Sequence, residues 1–161
     1  MRSLVVPGGA LLLAIVLSGC APPDVAGVYD VNLAVTSEDC PDIDEGDTLD
    51  QVTLDVTQND RSVSMVATIV YFGFIPMDIN FLGETKRRGF TADSTDDLVV
   101  DLDGAGPGTC EMSYSLNVDA DVDNDGVING TVTQVGVSNG SPDCTVNMCT
   151  AVWDMLGTRN P

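Results

Sequence analysis

The chain has 161 residues, 25 of them acidic and 6 basic, which gives a formal net charge of −19, and it contains no histidine. A surface this acidic repels nucleic acid and anionic lipid headgroups, so we expect neither as a partner. Hydrophobic residues make up 43% of the chain and recur periodically, and this combination favours a folded domain over disorder.

The N-terminal segment has the layout of an export signal. Arg2 is followed by an apolar run that ends at Leu17, and two small residues then precede Cys20. A positive residue, an apolar stretch and a small-residue cleavage site are typical of a secretory signal peptide. The alternative is an uncleaved membrane span, but a proline and two glycines interrupt a stretch that would need about 20 apolar residues.

The stretch Leu17-Ser18-Gly19-Cys20 resembles the lipobox of bacterial lipoproteins. The resemblance implies that residues 1–19 are removed and that the Cys20 thiol receives a diacylglyceryl group before its freed amine is acylated. Ala21 stands where an aspartate would retain a lipoprotein in the inner membrane. This implies forwarding to the outer membrane, with the domain on the periplasmic or the surface side.

The rest of the chain divides into a tether and one domain. Residues 20–26 comprise the lipidated cysteine and a stiff tether, because consecutive prolines favour an extended helix without internal hydrogen bonds. Residues 27–161 are enough for a single domain with a hydrophobic core.

Alternating apolar and polar residues dominate this domain, as in Val31, Leu33 and Val35. Period two in β-branched and aromatic residues indicates half-buried strands, and no convincing helical stripe is present. Asn124-Asp125-Gly126 and Asn59-Asp60-Arg61 have the composition of tight hairpin turns. We predict eight strands, near residues 27–36, 49–58, 62–72, 77–84, 97–103, 110–122, 127–138 and 149–158.

Eight antiparallel strands with short connections predict an all-β fold, either an up-and-down barrel or a β-sandwich. A barrel needs an even number of strands so that the first and last can pair antiparallel. The count is eight only if Lys86 to Ala92 is a connection and not a ninth strand.

The two ends of the domain suggest a family. It opens with Gly27-Val28-Tyr29 and closes with Trp153 and Arg159, which resembles the lipocalin (calycin) pattern. In that family, an arginine of the last strand packs across an aromatic ring near the start and closes the barrel floor. The resemblance implies that Gly27, Tyr29 and Arg159 are closure residues, although the family usually has tryptophan where Tyr29 stands.

Four cysteines remain after lipidation, and an even number in an exported chain indicates disulfides. Strand alternation places all four at one rim of a barrel. Neighbouring strands favour Cys40–Cys149 with Cys110–Cys144, and Cys40–Cys110 with Cys144–Cys149 is a close alternative.

The segment from Asp121 to Asn129 resembles the first nine positions of an EF-hand calcium loop, with Asp121, Asp123 and Asp125 as candidate ligands. The closing bidentate glutamate is missing, because Val132 stands there. We therefore favour the interpretation that these carboxylates lie on a solvated strand face before an ordinary turn, and we expect no metal.

The run from Val66 to Leu82 is the most apolar part of the domain. We interpret it as two core strands around a connection. The alternative is that Phe72, Phe74 and Ile75 form an exposed apolar patch at the tip.

No nucleophile elbow, phosphate loop or zinc signature is present, and the commonest general base is missing, so we expect neither enzymatic activity nor a cofactor. Our leading hypothesis is a membrane-anchored barrel that binds a small apolar ligand. The alternative is a structural or protein-interaction lipoprotein with a solid core and acidic loops. The predicted ligand-lining residues are Tyr29, Leu33, Met65, Ile69, Tyr114, Leu116 and Trp153.

Overall fold

The computed structural model describes residues 21–40, 46–71, 75–101 and 110–161. Cys20, the signal segment, Phe72 and Phe74 lie outside these residues, as do the predictions made for them. Nine strands lie within the described ranges. They are β1 (Gly27–Glu38), β2 (Thr48–Asn59), β3 (Ser62–Tyr71), β4 (Ile75–Thr85), β5 (Gly89–Ser94), β6 (Leu98–Asp101), β7 (Glu111–Val122), β8 (Val127–Ser138) and β9 (Met148–Arg159).

All strand pairs are antiparallel, and the sheet closes on itself. Strands β1 to β4 each pair with the next strand, as do β7 and β8. Strand β9 returns to β1, and β5 pairs with β7. The predicted all-β, up-and-down barrel of eight strands is therefore confirmed, and the alternative of two open packed sheets does not form.

The fifth strand of the barrel lies earlier in the chain than predicted. Gly89 pairs with Asp121 of β7, so β5 occupies the segment that we interpreted as a connection. The predicted strand at 97–103 is the short β6, which pairs with the other end of β7 through Leu98 and Tyr114. Because β5 and β6 both lie along β7, they share one position in the wall, and the barrel keeps eight strands.

Alternation along the strands separates the core from solvent, as predicted. In β1, Tyr29, Val31, Leu33 and Val35 are buried, whereas the residues between them are mostly exposed. Period two places successive side chains on opposite faces of a sheet, so one face of every strand lines the barrel interior.

One end of the barrel is closed by a solid layer of side chains. Tyr29, Phe90 and Ile128 are fully buried there, together with Val25 from the segment that precedes β1. The backbone N–H of Val25 donates to Oε1 of Gln58 at 2.9 Å, which fixes this segment beneath the strands. We call this closed end the floor.

The opposite end, the rim, has two disulfides. Cys40–Cys149 joins the segment after β1 to the start of β9, and Cys110–Cys144 joins the start of β7 to the β8–β9 connection. The predicted disulfides are thus confirmed. Both lie on the half of the rim formed by β1, β9, β8 and β7.

Candidate functional site: the barrel cavity

Above the floor, the barrel is hollow. A cavity of about 870 Å³ lies between the floor and the rim. The residues that line it are contributed by every strand except β5, and by the segment just before β2. They are Val31, Leu33, Asp47, Thr48, Leu49, Val52, Leu54, Met65, Ala67, Ile69, Pro76, Met77, Ile79, Phe81, Leu98, Val99, Val100, Asp101, Tyr114, Leu116, Val118, Val132, Gln134, Trp153 and Met155.

The cavity exists because its wall is built mainly from aliphatic side chains. An eight-stranded barrel is just wide enough for its interior to be filled, or to hold one small ligand. The floor layer contains Tyr29 and Phe90, whose large rings are fully buried in the core. Higher up, inward positions hold Val52, Ala67 and other short chains, which leave the centre open.

Six of the seven residues predicted to line a ligand site are brought together on this wall: Leu33, Met65, Ile69, Tyr114, Leu116 and Trp153. The seventh, Tyr29, lies in the floor and does not line the cavity. Its hydroxyl donates to the carbonyl of Val25 at 2.9 Å and accepts hydrogen bonds from Arg159.

Sequence reasoning missed the wall contributed by β4 and β6. Met77, Ile79 and Phe81 alternate with polar residues and line the cavity, as do Leu98 and Val100. The alternation was visible in the sequence. The sequence could not show that these residues face one common cavity, because the positions of β4 and β6 in the wall depend on how the barrel closes.

The carboxylates that line the cavity lie near the rim. Asp47 and Thr48 stand where the chain enters β2, and Asp101 ends β6. No lysine or arginine is among the described residues that line the cavity. The rim end of an apolar chamber therefore carries two carboxylates.

Gly136 makes room for the ring of Tyr114 in this wall. The two residues are cross-strand partners in β7 and β8. A Cβ atom at position 136 would lie 2.5 Å from Cε1 of Tyr114 and 2.8 Å from Sγ of Cys149. A side chain here would force the ring or the disulfide to move, so glycine allows the aromatic wall and the rim disulfide to coexist.

On one side of the wall, part of β4 and the neighbouring β6 are not joined by a ladder of backbone hydrogen bonds within the described residues, and we call this gap in the pairing the seam. β4 and β5 are paired only from Phe81 to Thr85 of β4, and the last bond joins the N–H of Thr95 to the carbonyl of Asn80 at 2.8 Å. Beyond it, Ile75–Asn80 of β4 and β6 have no ladder between them in the described part of the chain. Pro76, Met77 and Val99 line the cavity beside this seam.

The carboxylates of Asp119, Asp121 and Asp123, at the end of β7 and in the β7–β8 turn, have partners within the fold. Oδ1 of Asp123 accepts the N–H groups of Asp125 and Val127 at 2.9 and 2.8 Å and thereby caps the turn. The ammonium of Lys86 pairs with Asp119 and, at 2.9 Å, with Asp121. Among the residues described, no group of three acidic or cysteine side chains is arranged to hold a metal ion.

Lys86 is more basic than an ordinary lysine. Partial burial of its ammonium group lowers the pKa, but the hydrogen bonds and charges of Asp119 and Asp121 outweigh burial, and the pKa of Lys86 is raised above 10.5. This group therefore remains protonated at neutral pH and holds the β4–β5 turn against β7.

No model of a known protein family matches this chain, and no curated protein is significantly similar to it. The described residues include no helix long and apolar enough to cross a membrane.

Proposed function

We propose that the protein is an exported, lipid-anchored barrel that binds a small apolar ligand in its interior. The observation that carries this proposal is the cavity of about 870 Å³, lined mainly by aliphatic and aromatic side chains. Small-molecule sites are concave, mostly apolar and about 300–1,000 Å³ in volume. The alternative of a structural lipoprotein with a solid core is disfavoured by the same cavity.

The polar residues of the cavity narrow the class of ligand. Asp47 and Asp101 lie among the lining residues near the rim, and the described lining contains no cation to pair with a carboxylate head. An anionic amphiphile such as a fatty acid would place its charge against these two carboxylates at a cost in Coulomb energy. We therefore propose a neutral apolar ligand.

The seam beside β4 supports an access route. The two disulfides lie on the side of the rim formed by β1, β9, β8 and β7. Pro76, Met77 and Val99 lie on the other side, where the wall lacks a ladder. Strands without cross-strand hydrogen bonds separate at lower free energy than paired strands, so we propose that ligand passes between β4 and β6.

The anchor is the second part of the proposal. The lipobox-like stretch before Ala21 supports acylation of Cys20 and location in the outer membrane. Two disulfides agree with an oxidising compartment outside the cytoplasm. The contact of Arg159 with the Tyr29 ring at the floor supports the lipocalin resemblance and, with it, a binding protein with one closed end.

Trp153 offers a direct test, because it is the only tryptophan in the chain and it lines the cavity. The neutral probe N-phenylnaphthylamine absorbs where tryptophan emits. Binding inside the barrel should quench Trp153 and sensitise probe emission by energy transfer. A wild-type protein that shows no saturable transfer would overturn the ligand proposal.

Two matched variants locate the binding. Ala67→Phe places a ring inside the cavity, whereas Val70→Phe places the same ring on the outer face of the same strand, where Val70 is 40% exposed. We expect Ala67→Phe to weaken probe binding by about tenfold or more and Val70→Phe to leave it unchanged. Equal effects of the two variants would indicate binding to the outer surface.

The anchor is tested separately with Cys20→Ser. We expect this variant to accumulate as unprocessed precursor without incorporated fatty acid. Normal processing and membrane attachment of the variant would contradict the lipoprotein assignment and leave the ligand proposal standing.

A further inference from the structure

The basic residues are gathered at one end of the barrel. The chain has six, of which all but Arg2 are described, and these five lie at the floor. Arg61 is in the β2–β3 turn, Lys86, Arg87 and Arg88 form the β4–β5 turn, and Arg159 ends β9. The floor also has exposed carboxylates, among them Asp60, Glu84, Asp123 and Asp125, so the basic residues are confined to this end whereas the acidic residues are not.

Two of the five have partners within the fold. Arg159 binds Tyr29 and the carbonyl of Asp24, and Lys86 pairs with two carboxylates of β7. Arg61, Arg87 and Arg88 are exposed and form no salt bridge with any residue that the structure describes. The N–H of Thr85 donates to the carbonyl of Arg61 at 2.8 Å, so their two turns are held side by side. We call these three residues the arginine cluster.

The tether leaves the barrel at the arginine cluster. Ala21, Pro22 and Pro23 line a shallow cleft together with Arg61 and Arg87; Asp60, Thr85 and Lys86 complete its walls. Residue 20 directly precedes this segment, so an acylated Cys20 would enter its membrane next to the cluster. The acidic β7–β8 turn lies on the other side of the β4–β5 turn from Arg61.

We propose that the arginine cluster binds the phosphate headgroups of anionic phospholipids in the membrane that holds the anchor. This inference rests on the proposed acylation of Cys20. Guanidinium groups bind phosphate oxygens in a bidentate manner and remain charged at all physiological pH values. Basic residues close to an anionic bilayer are attracted individually, because the surface potential decays within a Debye length.

The whole chain is strongly acidic, but the carboxylates at the rim do not oppose this contact, and at the floor Asp119 and Asp121 are paired with Lys86. At physiological ionic strength the Debye length is about 8 Å, so carboxylates at the rim are screened from a bilayer at the floor. Instead, the rim carboxylates disfavour every orientation in which the rim faces the anionic bilayer. The floor then faces the membrane, and the rim end of the cavity, with Asp47 and Asp101, points away from it. In this orientation, ligand exchanges with the aqueous space or with a partner, and not with the bilayer of the anchor.

Lys86 reports on this contact because it is the only lysine of the chain and lies at the floor. The lipidated protein is reconstituted into phosphatidylcholine vesicles with and without phosphatidylglycerol, and the rate at which a neutral reagent acetylates Lys86 is measured by mass spectrometry. We expect the rate to fall by about fivefold or more when phosphatidylglycerol is present.

Two variants with the same change of net charge separate docking from general repulsion. Arg61→Gln/Arg87→Gln/Arg88→Gln should abolish the protection of Lys86. Ser37→Glu/Thr145→Glu/Asn147→Asp changes exposed residues towards the rim and should retain it. Unfolding midpoints equal to that of wild type would show that both variants fold.

The outcomes distinguish the cluster from the anchor. Protein that sediments with both kinds of vesicle but shows equal acetylation rates overturns the docking proposal and leaves the anchor intact. Protection that persists in the triple glutamine variant also overturns docking by these arginines. Protein that sediments with neither kind of vesicle overturns the anchor, and the docking proposal fails with it.

Discussion

Arg159, the last residue of β9, donates hydrogen bonds from Nε and Nη2 to the hydroxyl of Tyr29 in β1, at 3.1 and 2.8 Å. Its guanidinium carbon also lies 5.4 Å from the centre of the Tyr29 ring. Gly27 has a φ of 152°, and a Cβ there would lie 3.0 Å from the Arg159 side chain. The first and last strands are thus joined at the floor by side chains as well as by backbone pairing.

This relationship predicts the effect of Tyr29→Phe. The change removes the acceptor of two charged hydrogen bonds and the donor to the Val25 carbonyl. Hydrogen bonds with charged groups contribute about 1.5–3 kcal/mol, so the free energy of unfolding in urea should fall by that amount. Arg159→Gln should behave similarly, and Arg61→Gln, which removes an exposed cation at the same end, is the control. A loss below about 0.5 kcal/mol for Tyr29→Phe would show that the floor does not depend on this bond.

The two disulfides should differ in their contribution to stability. Cys40–Cys149 spans 109 residues and Cys110–Cys144 spans 34. In the chain-entropy model, loops of these lengths correspond to about 5 and about 4 kcal/mol of stabilisation. Cys40→Ala/Cys149→Ala should therefore lower the unfolding free energy more than Cys110→Ala/Cys144→Ala. The reverse order would indicate that native-state packing at the rim outweighs loop closure. Peptide mapping without reductant should recover both crosslinked pairs and no free thiol among the four cysteines.

Substitutions of Asp123 distinguish a turn cap from a metal ligand. Its carboxylate accepts two backbone N–H groups, and an asparagine oxygen can accept them as well. Asp123→Asn should therefore leave the free energy of unfolding unchanged, whereas Asp123→Ala should lower it by about 0.5–2 kcal/mol. Calcium at millimolar concentration should stabilise wild type no more than magnesium does. A calcium-specific rise of several degrees that Asp123→Ala abolishes would favour the EF-hand interpretation instead.

The raised pKa of Lys86 predicts that the free energy of unfolding depends on pH in the alkaline range. Its pKa in the folded protein is above 10.5, so the stabilisation it contributes is fully present below that value and is lost as pH rises through the folded pKa. Lys86→Met should lower the unfolding free energy by less than about 1 kcal/mol at neutral pH, because the pair is partly exposed and screened. The difference between wild type and variant should vanish at strongly alkaline pH. A difference that stays constant up to the highest pH would mean that packing of the lysine stem, and not its charge, supports the turn.

Local sequence patterns predicted much of the fold. A period of two is a property of neighbouring residues, so the inward positions of Leu33, Met65 and Ile69 could be assigned without knowledge of any partner strand. The turn at Asn59-Asp60-Arg61 is equally local, since Asp60 has a φ of 58° that few other residue types tolerate. An even number of cysteines in a chain with an export signal was sufficient to predict disulfides, and adjacency of strands favoured the observed pairs.

The tertiary structure decided what depends on distant residues. Whether residues 89–94 or 97–103 closed the barrel depended on their register against β7, where Gly89 meets Asp121, and no local pattern encodes that pairing. The volume of the cavity depends on how side chains from all eight strand positions fill one space. Alternation alone predicted that Tyr29 points inward, but it could not show that Tyr29 packs in the floor and not in the cavity wall. Arg61 and Arg87 are far from Arg159 in sequence and share an end only because antiparallel strands return every second turn to the floor. Periodicity is set by the backbone of each strand, whereas closure, cavity volume and the gathering of the basic residues at the floor arise only when the sheet closes.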